Sequence, residues 1–271
     1  MKKSKTLRII KITLCSAFAL AFLVFAGLGA SIGYGPLHFL RSALTSTAKG
    51  NSKQFGFDKI ERLDGNPLEG KNICVLGSSV VFGHASQEES VAEYFGRRFG
   101  CAYTKEAVSG TTLVDSGTLS YVSRLRKLDR SVHYDLFICQ LSTNDATKEK
   151  PLGEISAGPD YDTSTVTGAM EFIINYARDT WNCPVVFFTG SRYESENYAA
   201  MVRRLLELRE KYGIGVLDLW SDDDFNNIPD DLREIYMSDP IHPTKAGYRD
   251  WWCPEMERQL LEYLNNQPTN K

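Results

Sequence analysis

Two short stretches far apart in the chain hold the side chains that nucleophilic ester chemistry requires. The first is Gly77-Ser78-Ser79-Val80-Val81-Phe82-Gly83, where Ser79 offers a hydroxyl and, at a turn, a backbone N–H. The second is Ser238-Asp239-Pro240-Ile241-His242-Pro243-Thr244. A carboxylate three residues before a histidine can curl back to accept the Nδ1 proton, which leaves Nε2 free to take a proton from a serine. The prolines stiffen that loop and restrict how Asp239 and His242 sit. Between the two stretches lie Gly110, where no side chain keeps the backbone from a ligand, and Asn144, an amide donor. Each element alone has an ordinary reading: Gly-Ser-Ser and Gly110 as turns, Asn144-Asp145 as an Asx turn or helix cap. The α/β-hydrolase elbow G-x-S-x-G is absent, because position 81 is valine. Of the remaining histidines, His38 lies beside an apolar N-terminal stretch and His133 precedes an apolar run, both suited to the surface. His84 borders the Ser79 loop, where packing is the expected role.

What must position these residues is an alternation of strands and helices. Apolar runs at 72–76, 102–108, 135–141, 184–189 and 215–219 are short and bounded by Gly, Pro, Asn or Asp, as strands are. Segments 89–99, 117–128, 164–180, 196–212 and 244–264 carry apolar residues at helical spacing. Regular alternation predicts βαβ units and a parallel sheet covered on both faces, a three-layer α/β/α arrangement of five strands. The unbroken runs Phe137-Ile138-Cys139 and Val185-Val186-Phe187-Phe188 suit strands buried on both sides. Ligands bind such sheets beyond the carboxyl ends of the strands, and Ser79, Gly110 and Asn144 each follow an expected strand.

In this order the blocks resemble the SGNH hydrolases, also called the GDSL esterase/lipase family: Gly77-Ser78-Ser79-Val80, then Gly110, then Asn144 with Asp145, then Asp239-Pro240-Ile241-His242. The resemblance implies a flavodoxin-like sheet and a serine hydrolase acting on carboxylic esters without metal or other cofactor. It implies a triad of Ser79, His242 and Asp239, and an oxyanion hole made by the N–H groups of Ser79 and Gly110 with the Asn144 amide. The chain departs from the family pattern at Ser78, where an aspartate is typical, at Val80 for leucine, at Ser142 for glycine, and at Glu106 for asparagine. These departures leave the catalytic groups in place and weaken any transfer of substrate preference.

Substrate expectations rest on less. The long loop 146–162 is one expected wall of the pocket, and Ser191, Arg192 and Tyr193, after the fourth strand, another. Trp220 is free to stack on a sugar ring, whereas Trp251 and Trp252 suit packing against the last helix. Removal of O-acetyl groups from carbohydrate or cell-envelope polymers is the expected reaction. The alternatives are a lipase, lysophospholipase or thioesterase acting on acyl chains, and a non-catalytic carbohydrate-binding or interaction module on the same scaffold.

Composition bounds the rest. The 271 residues are 42% hydrophobic and 24% charged, ordinary for a globular chain. Lys2, Lys3, Lys5, Arg8 and Lys11 stand ahead of an uncharged apolar run, 12–33, long enough to cross a bilayer. That pattern predicts a cytoplasmic segment 1–11, a transmembrane anchor, a polar stalk 34–54 and a hydrolase domain 55–267 outside the cytoplasm. A cleaved signal peptide is the alternative, with small residues near Gly29 and Ala30. Beyond the first five bases the body holds 26 basic against 34 acidic side chains, a poor match for nucleic acid. The six cysteines show no C-x-x-C pair and no metal spacing; five follow the span, so at least one of those must be free.

Overall fold

Strand formation follows the buried apolar runs closely. In the computed structural model, which describes residues 2–32, 35 and 37–267, the strands are β1 (Asn72–Gly77), β2 (Ala102–Ala107), β3 (Leu136–Gln140), β4 (Val185–Phe188) and β5 (Gly215–Leu217). They form one sheet, ordered β2-β1-β3-β4-β5, and every pairing is parallel. The expected three-layer α/β/α arrangement is thus present. Side chains alternate across the sheet as a period of two demands. Cys74, Leu76, Phe137, Cys139, Val185 and Phe187 enter one apolar core, and Ile73, Val75, Ile138, Val186 and Phe188 the other. β2, at the edge and rich in polar residues, is the least buried strand.

The helices are α1 (Lys2–Ile32), α2 (Phe39–Thr45), α3 (Ser79–Phe82), α4 (Val91–Phe99), α5 (Tyr121–Leu125), α6 (Thr143–Thr147), α7 (Val166–Trp181), α8 (Glu196–Tyr212), α9 (Asp223–Asn226), α10 (Asp230–Tyr236), α11 (Lys245–Gly247) and α12 (Cys253–Asn265). The first core packs under α5, α7 and α8, and the second under α4 and α12. Capping explains several starts and stops. Ser90 and Glu93 form a reciprocal capping box on α4, and Gly100, Asn182 and Gly213 end α4, α7 and α8 in left-handed conformation. The last expected helix, 244–264, is interrupted: α11 passes through a π turn over Tyr248–Trp252 before α12 begins. Pro254 has no N–H to continue the α-helical ladder, so the turn widens ahead of it.

Within α1, the 22-residue stretch Ile10–Ser31 contains an 18-residue window of mean hydropathy 2.2, long and apolar enough for a membrane anchor or a signal sequence. Residue 33 of the expected span, and 34 and 36 of the expected stalk, lie outside the described residues. The remainder of 34–54 is not extended. It contains α2 and short 3-10 turns, and Gly50 and Asn51 are buried. The buried Asn51 amide donates to Thr45 O at 2.8 Å and Ala85 O at 2.7 Å, and its Oδ1 accepts from Lys245 N at 2.9 Å. Hydrogen bonds rather than apolar periodicity fold this segment onto the body, which is why a polar composition reads as a spacer.

Candidate active site

The sheet order reverses beside β1, whose neighbours are β2 and β3, and the candidate residues gather at the carboxyl ends of these strands. Only glycine fits at 77, because a Cβ there would strike the Val81 side chain. The turn that follows is held from beneath. Gln140 Oε1 accepts from Ser78 N at 2.9 Å and Val81 N at 3.3 Å, Arg124 Nη2 donates to Gly77 O at 2.7 Å, and Tyr248 OH donates to Val80 O at 2.6 Å. Gly83, at φ +81°, closes the one-turn helix α3.

On this platform Ser79 Oγ lies 2.7 Å from His242 Nε2. His242 Nδ1 lies 2.8 Å from Asp239 Oδ2. Asp239 Oδ1 also accepts the backbone N–H groups of Ile241 at 2.8 Å and His242 at 2.9 Å, which curls the loop around the imidazole. Burial works to raise the Asp239 carboxyl, but the His242 ring and these N–H groups outweigh it and bring the pKa down to about 2. The carboxylate therefore favours a proton on Nδ1, leaving Nε2 to accept from the Ser79 hydroxyl.

Neither the Ser79 nor the Gly110 N–H has a hydrogen-bond acceptor among the described residues. Gly110 adopts φ +79° with open space where a side chain would stand. Asn144 Nδ2 is engaged, donating to Ser78 Oγ at 3.1 Å and Thr111 O at 3.0 Å. An oxyanion would therefore share or displace one of those acceptors to use this amide. Asp145 turns away into the protein, where its buried carboxylate accepts Leu113 N at 2.7 Å and Val114 N at 3.1 Å and fixes the loop after Gly110. Burial raises its pKa despite those bonds.

Two departures from the family pattern have structural partners. Ser78 accepts the Asn144 amide, and Glu106 pairs with the buried Arg124 at 3.0 Å, the side chain that grips Gly77 O. Gln140, Arg124 and Asn51 escaped the sequence reading. Gln140 did leave a signal, a polar side chain ending an otherwise apolar strand, whereas Arg124 on a short helix and Asn51 in a polar stretch look like surface residues. His84 is closer to the chemistry than packing alone requires: its ring centroid is 5.1 Å from that of His242, and Nδ1 is 3.3 Å from Ser109 Oγ. Burial, then the nearby Arg41 and His242 charges, push its pKa down to about 4, against an opposing pull from Asp239.

The expected substrate contacts divide. Ser191 is buried, with no partner for its Oγ among the described residues. Arg192 pairs with Asp223 at 2.7 Å and donates to Trp220 O. Tyr193 packs edge-on against Trp220 and, with Arg192, lines a cleft of about 510 Å³ that reaches Asp239. Across the site a second cleft of about 310 Å³ runs from Gly110 past Thr111, Ser116 and Thr118 to Lys148. Trp251 and Trp252 are buried. All six cysteines are free, with five buried, and burial raises the Cys101 and Cys183 thiols to about 11.

Comparison with known proteins agrees with this architecture. A protein from Lactobacillus plantarum superposes with TM-score 0.60 at 18% identity, over 74% of this chain and 99% of its own. A member of the lipolytic protein G-D-S-L family from Veillonella parvula gives TM-score 0.52 at 14% identity, over 72% of this chain and 99% of its own. At these identities the likeness concerns the fold. None of the curated proteins compared matches the sequence. The sequence profile of the GDSL-like lipase/acylhydrolase family matches residues 75–249, from the strand before Ser79 to beyond His242, and the chain belongs to that family.

Proposed function

We propose that the chain is a serine esterase that removes short acyl groups, such as acetyl, from polar and saccharide-like alcohols. The observation that carries the reading is the continuous relay from Ser79 Oγ to His242 Nε2, at 2.7 Å, and from His242 Nδ1 to Asp239, at 2.8 Å. In the first step His242 takes the Ser79 proton as Oγ attacks the ester carbonyl carbon, and Asp239 stabilises the imidazolium. The oxyanion forms against the Ser79 and Gly110 N–H groups and the Asn144 amide. The imidazolium then returns the proton to the departing alcohol. Water, deprotonated by His242, cleaves the acyl-enzyme, releasing the carboxylic acid and restoring the Ser79 hydroxyl.

The clefts favour a small acyl group on a polar partner. One has a charged rim of Arg192, Glu194, Asp230, Arg233 and Glu234 around a floor that includes Tyr193, Met237 and Pro240, and the other is bordered by threonine and serine hydroxyls. The apolar floor of the first is short and ringed by charge, which suits a small acyl group better than a fatty chain. The test is hydrolysis of aryl esters of increasing acyl length by the full chain in detergent. Acetate should be cleaved fastest, and Ser79→Ala should abolish turnover. Faster cleavage of decanoate than of acetate would favour the acyl-chain reading, and no hydrolysis of any ester would favour a binding module.

A further inference from the structure

Very little chain joins the apolar span to the rim of the site. After α1 ends, the chain turns back along it: a side chain on Gly35 would touch the Phe25 ring, and one on Gly29 would strike the Leu37 carbonyl. The helix α2 follows at once and is tied to the loop behind Ser79. Arg41 Nε donates to His84 O at 3.0 Å, Ser42 Oγ donates to Glu88 Oε1 at 2.9 Å, and His38 Nδ1 lies 3.0 Å from the same oxygen. The His84 ring in turn faces His242. On this short helix Phe39 and Leu44 are 53% and 62% exposed, more than any other large apolar side chain outside the span among the described residues. Apolar side chains on a helix continuous with a membrane span have a ready partner, the boundary between head groups and acyl chains.

We propose that α2 rests in the surface of the bilayer that α1 enters, so that the Ser79–His242 site opens at head-group depth, and that its substrate is a short acyl ester on the polar head group of a membrane-embedded amphiphile. This inference rests on the esterase reading and adds the place and carrier of the ester. The hydroxyl-lined cleft from Gly110 to Lys148 fits a hydroxyl-bearing head group, while the lipid tails stay in the bilayer that receives Phe39 and Leu44. The segment that would have served as a spacer for reaching a distant polymer is instead bonded to the body through Asn51. Holding enzyme and substrate on one surface raises their effective concentration without any new contact.

The test uses the full chain reconstituted in phosphatidylcholine vesicles. Two probes carry the same ester: an O-acetylated methyl glucoside in solution, and the same acetylated glucoside on a dialkylglycerol within the vesicles. Acetate release from the lipid-borne glucoside should show a kcat/KM on the order of 10²-fold higher, and the double variant Phe39→Ser, Leu44→Ser should lose most of that advantage. Equal rates on the two probes, or faster release from the dissolved one, would overturn the inference and leave the esterase reading standing. Release of fatty acid from the phosphatidylcholine in preference to acetate would overturn the head-group assignment. Acetate from neither probe would sink both readings.

Discussion

Ser79, His242 and Asp239 form one unbroken chain of hydrogen bonds, with links of 2.7 and 2.8 Å, so loss of any member would interrupt the proposed proton path. Asn144 stands apart, because its amide is already committed to Ser78 and Thr111. In the proposed role of oxyanion donor it would matter only once negative charge develops; Asn144→Ala should therefore lower kcat on the order of 10²–10³-fold with a small change in KM, measured on aryl acetate. His84 gives a pH prediction. The folded protein holds it neutral down to about pH 4, whereas the unfolded chain protonates it below about 6.5. Stability should therefore fall as pH drops from about 6.5 to about 4 and change no further through this residue below that. His84→Gln should flatten this part of the curve of urea midpoint against pH. Asp239 acts lower: its depressed carboxyl contributes stability that is present above about pH 4 and is lost as pH falls toward about 2.

At the scale of elements, the loops bearing Ser79 and His242 are held against each other by residues from elsewhere. The buried Asn51 bonds to Ala85 in one loop and to Lys245 just beyond the other. Removing it orphans buried backbone groups. Asn51→Ala should lower stability by about 1–3 kcal/mol in urea unfolding and reduce kcat more than KM, with the serine and histidine both still present. Gln140→Met keeps the bulk and removes the acceptor for Ser78 N and Val81 N, so it should slow acylation of Ser79 in burst-phase kinetics. The strands were legible because near-continuous apolar runs bounded by turn residues have little choice but to be buried. The break at Tyr248–Trp252 was not, since aromatic residues keep helical spacing straight through it and only Pro254 marks it. Asn51 was invisible for a related reason: a polar side chain that will be buried looks, in sequence, like one that will stay in water.

For the whole molecule, the sheet order β2-β1-β3-β4-β5 brings residues from four separate segments to one crevice. The order of the motifs along the chain was enough to anticipate that convergence, because parallel strands place every following loop at the same edge. How the N-terminal segment meets the body was beyond the sequence, which shows an apolar span and a polar stretch but not the bonds from Arg41, Ser42 and Asn51 that join them to the site. The most direct test of the central claim is reaction of the full chain with a fluorophosphonate, followed by peptide mass analysis. A connected relay predicts one phosphonylated residue, Ser79, with labelling abolished in Ser79→Ala and strongly slowed in His242→Ala. An unlabelled Ser79 in the intact protein, or labelling that does not depend on His242, would contradict it.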